Sequence, residues 1–154
     1  MINTKGISMI TLVITIIVML ILSSIVYVIS NDGRESAENA KYLNEKKLLQ
    51  EAMQSRLAGY LRNANTYPLE GTPLASSEDD VVTQLENIGR ETANTVEVKS
   101  EINTFLTKNI SHAEYNRIIN YTDMLALELT NISSDTNYSY IANYYSLDII
   151  GPIK

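Results

Sequence analysis

The chain has 154 residues, a net charge of -6, one histidine and no cysteine. Disulfides and thiolate chemistry are therefore excluded, and a single histidine without cysteine builds neither a base–nucleophile pair nor a cluster of metal ligands. The acidic balance argues against nucleic acid as the main partner. This composition predicts that the protein is not an enzyme and holds no metal and no cofactor.

An uncharged apolar run, residues 7–29, lies near the amino terminus and contains neither glycine nor proline. At a helical rise of about 1.5 Å per residue, the run is long enough to cross a hydrocarbon core of about 30 Å. It is longer than the roughly 7–15 apolar residues of a secretory signal, and it does not end in an Ala-x-Ala cleavage box. A lipid anchor is excluded because it needs a cysteine. The sequence therefore predicts a transmembrane helix over residues 7–30.

The charges that flank this run predict its orientation. Lys5 precedes the run, whereas Asp32 and Glu35 accompany Arg34 after it. By the positive-inside rule, the amino terminus then lies in the cytoplasm and the rest of the chain lies outside the cell.

The start of the run resembles a known amino-terminal motif. Lys5-Gly6 is followed by Ile7-Ser8-Met9-Ile10-Thr11-Leu12 and then by further apolar residues. This segment resembles the amino terminus of bacterial type IV pilin-like proteins, especially the form found in Gram-positive bacteria. The resemblance implies a leader peptide of residues 1–6, cleavage between Gly6 and Ile7, and N-methylation of Ile7.

The resemblance also implies that the apolar helix packs inside a filament. Small hydroxyl side chains at helical spacing allow helices to pack closely, although simple tolerance of Ser and Thr in membrane helices is the alternative. Thr11 stands where the family usually has a glutamate that pairs with the terminal amine of a neighbouring subunit, so that ion pair cannot form here. The residues expected on the assembly helix are Thr11, Leu12, Thr15, Val18 and Leu22.

The partners that the resemblance implies are other filament subunits, a prepilin peptidase, an assembly ATPase and a platform membrane protein. The precursor is expected in the cytoplasmic membrane and the mature subunit in an extracellular filament on the cell surface. Major pilin, minor pilin and secretion pseudopilin share these signals, so adhesion, motility, DNA uptake and secretion stay open. The alternative is a single-pass membrane-anchored ectodomain that binds or senses a ligand and keeps residues 1–6.

An amphipathic helix is predicted over residues 31–63, because apolar residues recur there at a period of 3.6 among strong helix formers. If it continues the transmembrane helix, the two form one long helix like the spine of pilin folds. Asn31-Asp32-Gly33 is the weak point, since a glycine costs about 1 kcal/mol within a helix, and two helices joined by a hinge are the alternative. The face that we expect to be buried contains Tyr42, Leu43, Leu49, Ala52, Met53, Leu57, Tyr60 and Leu61.

The carboxyl-terminal domain is predicted over residues 64–154. A loop rich in Pro, Gly and polar residues covers residues 63–77. Ser77 then has the position of an N-cap, and the acidic residues 78–80 complement the helix dipole. We interpret this acidic triplet as a helix start rather than a calcium site, because the alternating oxygen ligands of a calcium loop are absent. The apolar residues of this helix are Val81, Val82, Leu85 and Ile88.

A second helix is predicted after Ser111. Ser111 and Glu114 have the spacing of a capping box, which predicts a helix through Tyr115, Ile118 and Ile119. The only histidine, His112, lies in the first turn of that predicted helix, and we expect its role to be structural.

The carboxyl-terminal end changes to a period of two. Tyr138, Tyr140, Ala142 and Tyr144 alternate with other residues, which predicts a strand. Residues 140–150 also resemble the closing hairpin of many Gram-positive pilin-like proteins, with Tyr145-Ser146-Leu147 where the turn commonly has a glycine. Residues 123–127 resemble the short helical piece that often precedes that hairpin. The middle of the chain, residues 64–120, has no counterpart in the resemblance.

The predicted fold class is therefore α+β. It consists of a long pilin-like amino-terminal helix packed on a small domain with short helices and an antiparallel β-hairpin or sheet.

Two compositional features bear on binding. The chain has ten tyrosines but no tryptophan and one phenylalanine, which suits subunit contacts, adhesive surfaces or packing within the domain. Four basic residues on the predicted amphipathic helix are candidates for contact with DNA. In an acidic chain we interpret them instead as a solvated helix face, and nucleic acid is not expected as a partner. These residues are Lys46, Lys47, Arg56 and Arg62.

Overall fold

The computed structural model describes the backbone of residues 4–154 and the side chains of residues 12–20 and 34–154. Four α-helices are described: α1 (Thr4–Arg62), α2 (Glu78–Asn87), α3 (Val96–Lys108) and α4 (Tyr121–Ala126). Two short 3-10 helices, Glu91–Asn94 and Ile110–Tyr115, flank α3. Four strands follow the order β1 (Thr72–Pro73), β2 (Asn116–Ile119), β3 (Ser139–Asn143) and β4 (Ile149–Ile153). The predicted α+β class is confirmed.

Contacts divide the chain between Lys41 and Tyr42 into two units, and the second unit is Tyr42–Lys154. Its strands form one antiparallel sheet in the order β1-β2-β3-β4. Ile118 of β2 pairs with Ile141 of β3, and Ser139 of β3 pairs with Ile153 of β4 across a local irregularity. Neighbours in the sheet are thus also neighbours in chain order.

Both faces of this sheet are covered, so all five residues of β3 are buried. Successive side chains of a strand point to opposite faces. Tyr140 and Ala142 accordingly lie in a cluster with the second half of α1, whereas Ile141 lies in a cluster with α2 and α3. The first cluster also contains Tyr42, Leu49, Met53, Ile119, Met124, Tyr138 and Tyr144. The second contains Val81, Val82, Leu85, Ala93, Ile102, Phe105, Ile118 and Ile153.

The predicted buried face of α1 is only partly correct. Tyr42, Leu49 and Met53 are buried, and Ala52, Leu57 and Tyr60 are half-buried. Leu43 and Leu61, however, are 67% and 66% exposed. Each follows a residue of the packed face, Tyr42 or Tyr60, and therefore points about 100° further round the helix, away from the sheet.

The predicted cap of α2 is confirmed. The Ser77 side chain accepts a hydrogen bond from the Asp80 backbone N–H at 3.2 Å, and its hydroxyl donates to Asp80 Oδ2 at 2.6 Å. α2 then runs over Glu78–Asn87, with its three acidic residues in the first turn. The predicted loop of residues 63–77 is also found, with the two-residue strand β1 inside it.

The predicted helix after Ser111 is wrong. A 3-10 helix ends at Tyr115, and Ile118 and Ile119 belong to β2 instead. Ile118 packs in the cluster with α2 and α3, and Ile119 packs in the cluster with α1. Two adjacent β-branched residues can be buried on opposite sides of one strand, and this long-range packing overrides the local capping signal.

A genuine capping box lies a few residues later. Asn120 Oδ1 accepts from the Asp123 backbone N–H at 3.0 Å, and Asp123 Oδ2 accepts from the Asn120 backbone N–H at 2.9 Å. This box opens α4. The helical piece expected at residues 123–127 is thereby found at Tyr121–Ala126, and Leu127 is its C-cap.

The predicted strand and hairpin at the carboxyl-terminal end are confirmed as β3 and β4. In the turn, Asn143 Oδ1 accepts from the backbone N–H groups of Tyr145 and Ser146, both at 2.8 Å. Leu147 has φ 61°, in the left-handed region that favours glycine. Leu147 therefore holds, without being a glycine, a backbone conformation that glycine adopts without strain.

Candidate functional site: the apolar segment of α1 and the tyrosine-rich domain

The candidate assembly site is the first part of α1, and residues 12–20 are the stretch of it whose side chains are described. All nine are exposed and none is charged. Leu12, Val18 and Met19 have exposed fractions of 61%, 47% and 66%. Because successive helical residues step by about 100°, these apolar side chains surround the helix on every side.

The predicted site residues divide between described and undescribed positions. Leu12, Thr15 and Val18 lie within the exposed stretch. Gly6, Ile7, Thr11 and Leu22 lie outside the described side chains, and so do the leader junction and the Asn31-Asp32-Gly33 weak point. Among the side chains that are described, no helix has an apolar stretch long enough to cross a membrane.

A buried carboxylate joins α1 to the carboxyl-terminal part of the chain. Glu45 is only 1% exposed. Its Oε1 accepts hydrogen bonds from the Tyr138 hydroxyl at 2.5 Å and the Ser133 backbone N–H at 3.1 Å, and its Oε2 accepts from the Tyr140 hydroxyl at 3.0 Å. Burial raises the pKa of both tyrosines, and the neighbouring Glu45 carboxylate raises it further.

Sequence reasoning missed this site. Glu45 lies three residues after Tyr42 and four before Leu49, which places it within the apolar stripe of α1. A charged residue on an apolar stripe was a signal that a polar partner had to be present. The partners themselves come from residues 133–140, which the sequence around Glu45 does not reveal.

A second group of aromatic rings lies nearer the surface. The rings of His112 and Tyr145 stack with centroids 3.7 Å apart, and Tyr115 lies 5.8 Å from Tyr145 and 6.4 Å from Tyr60. The His112 carbonyl also accepts a hydrogen bond from Asn143 Nδ2 at 2.9 Å. The histidine thus packs against the β3–β4 turn.

The tyrosines accordingly have two environments. Tyr138, Tyr140 and Tyr144 are fully buried, whereas Tyr67 and Tyr145 are about half exposed. The Tyr144 hydroxyl donates to the Glu70 carbonyl at 3.1 Å, and burial, with the nearby Glu70 carboxylate as a second cause, raises the pKa of Tyr144. Some of the tyrosines therefore pack in the interior of the domain, and others face solvent.

The four basic residues singled out on α1 have different environments. Arg56 Nη2 donates to the Ala126 carbonyl at 2.9 Å and pairs with Glu70 Oε1 at 3.4 Å. Lys46 is half-buried, whereas Lys47 and Arg62 are exposed. Within the part of the chain described, no group of three His, Asp or Glu side chains is placed to hold a metal ion.

Comparison with known proteins adds no relative: no family model, no curated protein and no solved structure matches this chain.

Proposed function

We propose that this protein is a structural subunit of a type IV pilus-like or pseudopilus filament, assembled through its amino-terminal helix after leader cleavage. The observation that carries the proposal is the exposure of residues 12–20, which are uncharged and apolar apart from Thr15. A helix that is apolar on every side is stable only when lipid or protein surrounds it. Lipid before assembly and copies of the same helix afterwards meet this requirement.

The motif at the start of the run supports the same proposal. Lys5-Gly6 before Ile7 resembles a prepilin leader junction, and removal of residues 1–6 frees a new amine at Ile7. The prepilin peptidase, the assembly ATPase and the platform membrane protein are the partners that this process requires.

Thr11 affects how such helices pack. Without a glutamate at this position, the filament interior has no ion pair between a carboxylate and the terminal amine of a neighbour. Assembly then depends on apolar contacts and on close approach at small hydroxyl residues, such as Thr11 and Thr15. An unpaired charge in the filament interior is also avoided.

The second unit supports a role as a building block. Its sheet is covered on both faces, and its buried carboxylate, Glu45, is fully engaged with three internal donors. A domain whose buried carboxylate is already hydrogen-bonded internally can form the outer wall of a filament without rearrangement.

The decisive experiment compares the amino terminus and the intact mass of the protein from sheared cell surfaces with those of the protein from membranes. A chain that begins at Ile7 in the sheared fraction, with one added methyl group, is the expected result. A chain that still begins at Met1 and is found only in membranes would contradict the proposal. That outcome would favour the single-pass anchored ectodomain.

A further inference from the structure

A cavity of about 370 Å³ lies within the second unit, between α1, α3 and the edge strand β4. Its volume is near the lower end of the range of about 300–1,000 Å³ that is typical of small-molecule sites. Lys46 lines it from α1, and Ser100, Glu101, Thr104, Phe105 and Lys108 line it from α3. Asp148 and the first residues of β4 complete the wall.

Two of the four charged residues in this wall neutralise one another. Lys108 Nζ lies 2.7 Å from Asp148 Oδ1, which is an ion pair and a hydrogen bond. Lys46 and Glu101 are different: in the part of the chain described, neither side chain makes a hydrogen bond or a direct ion pair. The cavity therefore presents one cation, Lys46, and one anion, Glu101, without a direct partner, and among the described residues the buried Asp148 Oδ2 atom also has no hydrogen-bond partner.

The partial burial of Lys46 disfavours the charged form of its side chain. Its side chain is half-buried, and desolvation lowers its pKa, an effect that the charge of Glu101 partly offsets. A partly desolvated ammonium is stabilised most by an anion that accepts its hydrogen bonds. A carboxylate bound beside Lys46 would accept hydrogen bonds from its ammonium.

The rest of the wall combines the hydroxyl residues Ser100 and Thr104 with apolar side chains. Phe105 belongs to the buried cluster of α2 and α3, and Ile149 and Ile150 are half-buried on β4. These side chains offer a surface for an apolar group of a few carbon atoms.

We infer that this cavity binds a small zwitterion with an apolar side chain, namely a free α-amino acid such as L-leucine. Its carboxylate would lie beside Lys46, its ammonium beside Glu101, and its side chain against Phe105 and β4. A dianion such as a phosphate ester fits less well, because Glu101 and Asp148 share the same wall. The inference does not depend on the proposed filament function.

The test measures binding of L-leucine to the full chain in detergent micelles by isothermal titration calorimetry. L-leucinamide lacks the carboxylate, and N-acetyl-L-leucine lacks the ammonium. Each analogue is expected to bind at least about tenfold more weakly than leucine. Equal binding of all three compounds, or no saturable binding of leucine up to about 10 mM, would overturn the inference.

Two variants test whether Lys46 binds the carboxylate of leucine and Glu101 binds its ammonium. Lys46→Met should weaken leucine binding about tenfold and abolish the difference between leucine and leucinamide. Glu101→Gln should abolish the difference between leucine and N-acetyl-leucine. Lys47→Met and Glu97→Gln are matched controls, because both residues are exposed and neither lines the cavity. Unchanged discrimination in Lys46→Met and Glu101→Gln would overturn the inference, and the analogue series on the unmodified chain decides the matter if a variant does not fold.

Discussion

Glu45 of α1 accepts a hydrogen bond of 2.5 Å from the hydroxyl of Tyr138, although the two residues are 93 positions apart in the chain. With the Tyr140 hydroxyl and the Ser133 backbone N–H, this bond ties the second half of α1 to β3 and to the segment before it. The carboxylate is almost fully buried, and these three donors stabilise it.

We therefore predict that Glu45→Ala lowers the free energy of unfolding by about 3 kcal/mol, because it leaves buried donors without an acceptor. Glu45→Gln should cost less, since the amide oxygen still accepts one bond. The measurement is urea unfolding of the full chain in mild detergent, followed by near-ultraviolet circular dichroism of the tyrosines. Glu51→Ala, an exposed position on the same helix, is the control and should stay within about 0.5 kcal/mol. Equal stability of Glu45→Ala and the control would refute the structural role of the buried carboxylate.

A second prediction concerns alkaline pH. The pKa values of Tyr138, Tyr140 and Tyr144 are raised above their ordinary value, chiefly by burial. Because the folded state holds these protons more tightly than the unfolded state does, their contribution to stability is fully present below about pH 10 and is lost as the pH rises further.

Phenolate absorbance during a pH titration measures this directly. Tyr138, Tyr140 and Tyr144 should ionise only together with unfolding, so their phenolate absorbance should rise in step with the loss of the native circular dichroism. If all ten ionise while the circular dichroism stays native, the buried environment of the three hydroxyls is wrong.

The end of α4 offers a stabilising substitution. Glu128 has φ 65°, and the Leu129 N–H donates to the Met124 carbonyl at 3.1 Å, which is the hydrogen bond of a Schellman motif. Glu128 is exposed, so its side chain gains little from packing. We predict that Glu128→Gly raises the free energy of unfolding by about 0.5–1 kcal/mol, because glycine adopts this conformation without strain.

The control for this prediction is Glu128→Ala, which removes the same charge but keeps a Cβ atom. It should bring no comparable gain. A larger gain in the alanine variant, measured by the same urea unfolding, would show that charge and not backbone strain governs this position.

The leader assignment makes a prediction about processing. Gly6→Leu should block cleavage and leave uncut precursor in the membrane, because a bulky side chain then occupies the residue before the cut. Immunoblotting and intact mass of the membrane fraction report the result. Thr4→Leu introduces the same side chain two residues earlier and should be processed normally. Normal maturation of Gly6→Leu would refute the leader assignment.

The exposed apolar segment makes a prediction about assembly. Val18→Asp should abolish membrane retention and filament assembly, because an unpaired carboxylate in hydrocarbon costs several kcal/mol. The assay compares the amount of protein in membrane, sheared and soluble fractions. The matched control is Val96→Asp, at an 81% exposed position in the first turn of α3, which should assemble normally. Filaments of ordinary abundance from Val18→Asp would contradict packing of this helix within a bundle.

Several features were predictable from neighbouring residues alone. Ser77 caps α2 with a side chain that reaches only three residues forward, and the alternation of tyrosines around β3 is a property of the strand itself. The exposed apolar stretch of residues 12–20 is likewise visible as an uninterrupted uncharged run. Each of these signals lies within a few residues of the structure that it predicts.

The tertiary structure decided what depends on distant partners. Residues 116–119 form a strand because Ile118 and Ile119 are buried by opposite layers, and Leu43 and Leu61 are exposed because the sheet covers only one side of α1. The acceptor role of Glu45 and the cavity beside Lys46 arise where α1 meets residues about 50 to 100 positions later. The sequence by itself thus determined the uncharged amino-terminal run, the Ser77 cap of α2 and the period of strand β3, which follow from local backbone geometry. Burial and pairing were decided only by packing, because their energy comes from contacts between segments that no local pattern connects.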